Sequence, residues 1–262
     1  MKLTIHGASG RVGAAIVPLL RGTDDTIVGA VAAPGTPEIG RDLGEIHGLS
    51  PMGVLVQDDL ASAMLGADVV IDFSHASAVA SLMRHAARAR VAVVSGTTGL
   101  GAEEFAAVDE AARSVPVLWA PNFSLGIQVL AELVRHAVAR LGPAFDVEIV
   151  ETHHRNKADA PSGTAIRLAR EVQAVRGDSR RVHGREGMVG ARRAEELGVI
   201  ALRGGDVVGD HVVHLLGLGE RLELTHRATS REVFARGAIF AARTLIGKPA
   251  GRYSLADVLP PV

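Results

Sequence analysis

The chain begins with a strand, a glycine-rich turn, a helix and a second strand, and this order restricts the fold more than any other feature. Alternating apolar residues predict a strand over Lys2–His6, and apolar residues at helical spacing predict a helix over Ala14–Leu20. A further strand over Thr26–Ala32 completes a βαβ unit. The turn is spaced Gly-x-x-Gly-x-x-Gly and consists of Gly7, Ala8, Ser9, Gly10, Arg11, Val12 and Gly13.

This turn is typical of dinucleotide binding. Its glycines let a pyrophosphate approach the backbone, and the start of the helix offers N–H groups and a partial positive charge. We therefore expect all seven turn residues to contact a dinucleotide cofactor. A generic tight turn between a strand and a helix carries similar glycines, so that alternative stays open on the turn alone.

The end of the second strand carries no charge that would select the cofactor. In dinucleotide-binding folds, an acidic residue about 20 residues beyond the glycines binds the ribose 2′-hydroxyl of NAD, or an arginine nearby accepts the 2′-phosphate of NADP. Here the strand is followed by Ala33 and Pro34, and the nearest arginine is Arg41. We expect a site lined by Ala33 to accept both NADH and NADPH.

Strands and helices continue to alternate, which predicts a doubly wound parallel sheet. Predicted strands cover Val54–Gln57, Val69–Phe73, Val91–Ser95 and Val115–Trp119, and predicted helices cover Asp59–Leu65, Ala76–Ala89 and Ala102–Arg113. Short motifs follow three of these strands, at the edge where such sheets bind ligands. We expect their residues to line the cofactor site, although ordinary turns use the same types: Phe73, Gly96, Thr97, Thr98, Ala120, Pro121, Asn122 and Phe123.

The chain changes character after the predicted helix Leu125–Leu141, because strands predominate there. They are predicted over Asp146–Thr152, Gly198–Arg203, Val207–Leu216 and Arg221–Thr225. The charged segment Arg176–Glu196 has no period and is interpreted as a loop, either a lid or an uncommitted surface loop. The helix predicted over Arg231–Ile246 is long enough to return across the first sheet.

The predicted fold class is therefore α/β, with a Rossmann-like dinucleotide-binding domain and a second α+β domain carrying a mixed sheet. The first domain is discontinuous, with residues 1–123 plus 231–262, and the second covers residues 124–230. The final stretch Tyr253–Val262 is interpreted as a short packed segment.

A cluster of basic side chains follows the apolar run Val147–Val150 and indicates an anion-binding site. His153 and His154 fall at the end of this strand, Lys157 follows, and Ser162 can cap a helix over Gly163–Val175. The third helical position is Ala165, so no capping box consumes the free N–H groups, and a carboxylate can bind them. Each residue alone also fits a surface histidine pair, a solvated lysine or an ordinary helix cap.

The segment from Glu151 to Ala165 resembles the signature of the dihydrodipicolinate reductase family, which reads Glu-x-His-His-x-x-Lys-x-Asp-Ala-Pro-Ser-Gly-Thr-Ala. The resemblance implies an NADH- or NADPH-dependent reductase that reduces 4-hydroxy-tetrahydrodipicolinate in lysine biosynthesis. It implies His153 and Lys157 as proton donors. It further implies that a dianionic small-molecule substrate binds His154, Ser162, Gly163 and Thr164. A homotetramer built through the sheet of the second domain is also implied, with edge strands such as Val207–Leu216 covered by a partner.

Composition excludes several other chemistries. The chain has 262 residues, a formal net charge of −1 and no cysteine, so thiolate metal sites, disulfides and the thiol chemistry of semialdehyde dehydrogenases are excluded. Its 11 histidines show no His-Glu-x-x-His spacing, so we predict no metal. His211 and His214 fit a structural or a functional role equally well. Gly204 and Gly205 are expected in a turn between paired strands.

The near-neutral charge gives no support for a nucleic-acid or membrane partner. No uncharged run approaches the roughly 20 residues of a membrane span, and no charged and apolar leader precedes the first strand, so we expect a cytoplasmic protein. Two other functions stay open. One is a reductase or dehydrogenase of another amino or imino acid, and the other is a nucleotide-sensing module, which would not need the basic cluster.

Overall fold

A computed structural model describes residues 1–177 and 179–260 of the chain. The strands in chain order are β1 (Lys2–His6), β2 (Thr26–Val31), β3 (Val56–Gln57), β4 (Val69–Asp72), β5 (Ala92–Ser95), β6 (Pro116–Trp119), β7 (Asp146–His153), β8 (Arg180–Val182), β9 (Glu196–Arg203), β10 (Gly209–Leu216), β11 (Arg221–Ala228) and β12 (Gly251–Tyr253). The helices are α1 (Arg11–Leu20), α2 (Leu43–Ile46), α3 (Leu60–Ala63), α4 (Ala76–Ala89), α5 (Ala102–Ala112), α6 (Leu125–Leu141), α7 (Gly163–Arg176) and α8 (Glu232–Leu245), with 3₁₀ turns at Gly142–Ala144 and Ala256–Val258.

The chain forms two compact units. The first consists of Met1–Ser124 and Arg231–Val262, and the second of Leu125–Ser230. The predicted fold class is confirmed, since the first unit carries a parallel sheet and the second a mixed one. Residues 261–262, the end of the predicted packed segment, lie outside the described residues.

The first unit is built on a seven-stranded parallel sheet of order β12-β6-β5-β4-β1-β2-β3. The chain moves outward from β1 in both directions, so the ends of β1 and β4 flank the point where the strand order reverses, and such points open a crevice for ligands. The strand β12 was not predicted, because three residues give no usable period. Helix α8 packs on α1 and on the central strands, as expected for a helix that returns across the sheet.

Two local features shape the start of the first unit. Helix α1 begins at Arg11, three residues before the predicted start, because Gly10 adopts the extended conformation of an N-cap. The short helix α2 was missed by sequence reasoning. It depends on buried Asp42, whose carboxylate accepts hydrogen bonds from the N–H groups of Gly44, Met52 and Gly53. The hydrogen bond from the N–H of Met52 favours the ionised carboxylate of Asp42 and outweighs the opposing effect of burial. The pKa of Asp42 is therefore lowered.

The second unit carries a five-stranded sheet of order β11-β10-β7-β9-β8. β7, β9 and β8 are parallel, whereas β10 is antiparallel to both of its neighbours. The expectation that the strand ending at Leu216 lies at an edge was wrong, because β10 is paired on both sides and the edges are β11 and β8. The order of strands in a sheet depends on pairing between segments that are distant in the sequence, and the hydrophobic period of a single strand does not reveal this pairing.

One face of this sheet forms the core of the second unit together with α6 and α7. Alternate residues of β7 are buried, from Val147 and Ile149 to Glu151 and His153. The first two pack among apolar residues of both helices and the adjoining strands, including Ile127, Val134, Leu168, Val172, Leu197, Val199, Val213 and Leu215. The same face becomes polar at the carboxyl end of β7, so the core continues directly into a cluster of ionisable groups.

The segment predicted as a loop between α7 and β9 contains the strand β8, which corrects that prediction; Asp178 lies outside the described residues. Arg185 binds Glu148 and Glu196, and Arg192 binds Asp146 and Glu148. Burial opposes ionisation of Glu148, but the two guanidinium groups outweigh it and lower the pKa. The segment therefore reads as charged and aperiodic because its arginines pair with acids of β7 and β9, distant in the sequence.

Candidate active site

The glycine turn of the first unit brings its backbone against the loop after β4. Gly7 has a φ of +81°, and a Cβ added to it would lie 2.5 Å from the carbonyl oxygen of Phe73. A Cβ on Gly13 would lie 2.4 Å from the carbonyl oxygen of Ala8, so α1 starts close to the turn. No side chain caps α1. Its first N–H groups and this close backbone fit a pyrophosphate.

The other turn residues take different places. Ala8 is buried, Gly10 and Val12 are half-buried, and Ser9 and Arg11 are exposed. The N–H of Gly10 donates to the carbonyl of Gly7 at 3.0 Å, which closes the turn. Ala33 is exposed just beyond β2. His47 was not considered in the sequence analysis. Its Nε2 lies 2.9 Å from the carbonyl oxygen of Ala8, so it contacts the glycine turn.

Buried Asp72 joins the ends of three neighbouring strands. One carboxylate oxygen lies 2.9 Å from Nδ1 of His6, and the other accepts hydrogen bonds from Ser95 at 2.6 Å and Thr97 at 2.9 Å. The N–H of Ser74 donates to the first oxygen at 3.1 Å. Burial opposes ionisation, but His6 and the hydroxyl and amide donors outweigh it, so the pKa of Asp72 lies below its usual value.

The structure brings several predicted cofactor residues together at this edge. The rings of Phe73 and Phe123 meet edge to face, with centroids 5.5 Å apart. A Cβ on Gly96 would lie 2.1 Å from the Phe73 ring, so only glycine lets the ring lie there. Thr97 is buried and held by Asp72. The remaining predicted residues follow the same strands: exposed Thr98 and Pro121, half-buried Asn122 and buried Ala120.

The second unit has its own buried carboxylate, Glu151, which sequence reasoning missed. It is 0% exposed and accepts four hydrogen bonds. Arg203 donates two of them in a fork, both at 2.8 Å, His153 Nδ1 lies 2.5 Å away, and the N–H of Ser162 donates at 3.0 Å. Burial raises the pKa of Glu151, but the bonds from Arg203, His153 and Ser162 outweigh it and the pKa is lowered.

His153 and His211 form an edge-to-face pair, with ring centroids 5.2 Å apart. His211 lies on β10 directly opposite Glu151 and is almost fully buried, with its Nε2 3.3 Å from the hydroxyl of Ser162. Burial and the neighbouring His153 lower the pKa of His211 to about 4, so its ring is neutral at physiological pH. His214 lies on the opposite face and pairs with Glu223 at 3.3 Å. Of the two histidines His211 and His214, the first therefore belongs to this cluster and the second does not.

The loop that carries Lys157 is fastened on both sides. Lys157 Nζ lies 2.7 Å from a carboxylate oxygen of Asp159, and Arg203 donates to the backbone carbonyl of Asp159 at 2.7 Å. The turn after β9 holds the start of this loop, because the N–H of Gly204 donates to the carbonyl of His153 and that of Arg155 to the carbonyl of Gly205. The two glycines lie in the connection from β9 to β10, which supports the basic loop. The prediction of a turn between paired strands was wrong, because β9 and β10 each pair with β7 and not with each other.

The start of α7 and His154 complete the cluster. The Ser162 side chain accepts from the N–H of Ala165 at 3.2 Å, which confirms the predicted N-cap. Gly163 has open space where a side chain would be, and Thr164 follows it in the first turn. His154 is anchored by its N–H, 2.7 Å from the carbonyl of Val207. Its Nδ1 is buried with no hydrogen-bond partner among the described residues, which suits a ligand oxygen.

Within residues 1–177 and 179–260, no helix is long and apolar enough to cross a membrane. In the same part of the chain, no group of three or more histidine, cysteine, aspartate or glutamate residues is arranged to hold a metal ion.

Known proteins match the chain over nearly its whole length. The family described as "Dihydrodipicolinate reductase, N-terminus" matches residues 1–123, and "Dihydrodipicolinate reductase, C-terminus" matches residues 126–259. A 4-hydroxy-tetrahydrodipicolinate reductase of Anaeromyxobacter dehalogenans is 52% identical over 98% of this chain and 97% of its own. One from Myxococcus xanthus is 44% identical over 99% and 97%. The dipicolinate-bound dihydrodipicolinate reductase of Paenisporosarcina sp. TG-14 shares the fold, with a TM-score of 0.79 at 23% identity and 99% coverage of both chains.

The neutral state of His211 should make stability depend on pH. The folded pKa of about 4 lies below the unfolded value near 6.5, so between these values the unfolded chain binds the extra proton. This stability is fully present above about pH 6.5 and falls as the pH is lowered towards 4. From pH 7 to pH 5 we expect His211 to lower the free energy of unfolding by about 2 kcal/mol.

Urea unfolding of the wild type and His211→Asn at both pH values measures this contribution. Other groups contribute to both proteins, so only the difference between their pH responses counts. An asparagine variant that loses as much stability as the wild type between pH 7 and pH 5 would contradict a neutral, buried His211.

Proposed function

The chain belongs to the dihydrodipicolinate reductase family, and from this premise we propose that it reduces 4-hydroxy-tetrahydrodipicolinate in lysine biosynthesis with a nicotinamide dinucleotide, using His153 and Lys157 as proton donors. The observation that carries the proposal is the identity of 52% with a reductase of this name over nearly the full length of both chains. The cluster around Glu151 supports it, because a dianionic substrate needs focused positive charge in a nearly neutral protein.

The first unit supplies the cofactor site. The glycine turn, with its close backbone and uncapped α1 start, is suited to the pyrophosphate. Residues after β4, β5 and β6, held by Asp72 and the Phe73–Phe123 ring contact, are suited to the nicotinamide half. When bound, the reduced nicotinamide supplies the hydride. The chain's part is to orient this ring and to exclude water from it.

The second unit supplies the acid chemistry. The 4-hydroxyl group of the substrate is lost as water, which leaves a conjugated cyclic imine. Hydride addition to this ring moves electron density to the atoms beyond, and the enamine carbon that results must be protonated. His153 and Lys157 are the proton donors in this proposal, and they flank one loop. The two carboxylates bind His154, whose Nδ1 has no partner within the described part of the chain, and Ser162, Gly163 and Thr164 at the start of α7.

Replacing the proposed acids should slow the chemistry without removing the cofactor. We expect Lys157→Ala to lower kcat by about a hundredfold to ten-thousandfold, the usual contribution of a general acid, and His153→Gln to lower kcat as well. His154→Gln should mainly raise KM, because a carboxylate contact exists in the ground and transition states alike. Loss of nicotinamide absorbance, with substrate generated in a coupled assay, measures both constants.

Lys248→Ala is the matched control, since that lysine lies over the ring of Tyr253 in the first unit. It should leave kcat and KM unchanged. Turnover of Lys157→Ala near the wild-type rate would remove its role, and equal effects on kcat and KM in both histidine variants would remove the distinction between them. A wild-type protein that consumes neither NADH nor NADPH with this substrate would overturn the function itself.

We also propose that the protein uses both NADH and NADPH, because Ala33 gives the corner after β2 no charge. Ala33→Asp adds a carboxylate that can bind the 2′-hydroxyl of NADH and repel the 2′-phosphate of NADPH. One charge-assisted hydrogen bond contributes roughly 1.5–3 kcal/mol, so the ratio of kcat/KM should shift towards NADH by about tenfold to a hundredfold. Ala33→Asn is the uncharged control. Strong wild-type selectivity, or an unchanged ratio in the aspartate variant, would show that selection occurs elsewhere.

The second unit is proposed to assemble a homotetramer, in an enzyme that works in the cytoplasm. Both α6 and α7 pack against one face of its sheet, and the opposite face carries Val150, Val212 and Leu202, the last 49% exposed. These three apolar side chains lie beside charged pairs such as Glu148–Arg185, and burial against another subunit would stabilise them.

Light scattering at micromolar concentration should give four times the chain mass, and Leu202→Glu should reduce it. Leu65→Glu, on an exposed leucine of the first unit, is the control that should leave the mass unchanged. A wild-type monomer would contradict the tetramer, and a Leu202→Glu tetramer would contradict this interface.

A further inference from the structure

Glu151 has no part in the proposed chemistry, yet it contacts three parts of the substrate site. We propose that Glu151 is a positioning residue that fixes His153 for proton delivery through Nε2, and that Arg203 and the N–H of Ser162 keep Glu151 itself in place. This inference rests on the proposed function, in which His153 is a proton donor, and adds the group that acts behind it.

The contact between Glu151 and His153 decides which ring nitrogen exchanges protons. Nδ1 of His153 lies 2.5 Å from a Glu151 oxygen, and a carboxylate can only accept a hydrogen bond, so Nδ1 carries a proton. The proton available to a substrate is then the one on Nε2.

The ring is also fixed on its other side. A Cβ on Gly209 would lie 3.0 Å from Nε2 of His153, so the ring lies close to the backbone at this end of β10 and a larger residue there would press on it. The neutral, buried ring of His211 meets this ring edge to face and limits its rotation in a second direction. Together with the bond from Nδ1 to Glu151, these contacts restrict the direction in which Nε2 points.

Glu151 is itself held by more than its ion pair with Arg203. Arg203 binds both of its oxygens and also the carbonyl of Asp159, whose side chain pairs with Lys157. The N–H of Ser162 at the start of α7 gives the fourth bond. One carboxylate thus connects the proposed acid, the lysine loop and the anion-binding helix start, so a shift of Glu151 displaces all three.

Glu148 provides a matched control on the same strand. It also accepts a forked pair of bonds from an arginine, Arg185, and a further bond from Arg192, but its side chain points to the opposite face, away from His153. Glu148→Gln therefore removes a comparable arginine–carboxylate interaction from β7 without changing the partner of the imidazole.

The experiment compares Glu151→Gln, Glu148→Gln and the wild type in steady-state kinetics with isotopes. For Glu151→Gln we expect kcat to fall at least about tenfold with little change in substrate KM, since carboxylates behind a catalytic imidazole contribute up to about 10⁴-fold. Proton delivery then becomes slower relative to hydride transfer. The solvent deuterium effect on kcat should rise, and the effect of deuterium at C4 of the nicotinamide should fall. Glu148→Gln should keep the wild-type kcat and both isotope effects.

Thermal unfolding of each variant checks that it is folded. If Glu151→Gln does not fold, Glu151→Asp makes the same test, because its carboxylate retreats from Nδ1 by about one bond length, roughly 1.5 Å, while keeping its charge. The inference is overturned by a kcat within about threefold of wild type, by unchanged isotope effects in a slowed variant, or by equal losses in Glu148→Gln. A wild-type protein without turnover would instead refute the proposed function before these variants are compared.

Discussion

Glu151 has no contact with solvent, so its charge persists only because neighbouring donors replace the water that it lost on folding. Each of its partners lies on a different part of the second unit: His153 at the end of β7, Arg203 at the end of β9 and Ser162 at the start of α7. Removing any one donor leaves the others facing an incompletely satisfied buried charge. The geometry of the basic cluster therefore follows from the hydrogen-bond requirements of one carboxylate.

The first unit also has a buried carboxylate near the carboxyl end of a strand, and it too is satisfied by neighbouring donors. Asp72 is the last residue of β4 and is buried, and it draws donors from the ends of β1 and β5 as well as from the loop after its own strand. In both units the apolar face of a strand ends in a carboxylate that fastens neighbouring loops. Packing alone would hold these loops less specifically, because apolar contacts have no preferred direction whereas hydrogen bonds do.

The sequence predicts the parts of this molecule whose pattern is local. Strands and helices of the first unit follow from apolar periods, and the basic loop follows from the density of His153, His154 and Lys157 before a capped helix. Glu151 escapes such reasoning, because an acid at an alternate position of a strand normally faces water and its main partner, Arg203, comes 52 residues later in the chain. Asp72 had a weak signal, a lone acid at the end of an apolar strand.

The remaining errors have the same origin. The edge position assigned to the strand ending at Leu216 fails because neighbour order is set by pairing between distant segments. The segment around β8 shows no hydrophobic period in the sequence, because Arg185 and Arg192 form ion pairs with acids on β7 and β9. Residue roles at the site, from the cofactor turn to Thr164, stay predictions that the kinetic variants address.

The division of the first unit into two separate stretches of chain has a consequence for the order of events during synthesis. Helix α8 packs on α1 and on the central strands β4, β5 and β6, yet it comes after the whole of the second unit. When the ribosome has added residues up to Ser230, the second unit has all the strands of its sheet and both of its helices, whereas this face of the parallel sheet still lacks its cover. The later-encoded second unit is thus the first that can finish folding, whereas the first unit can finish only after the last part of the chain has emerged.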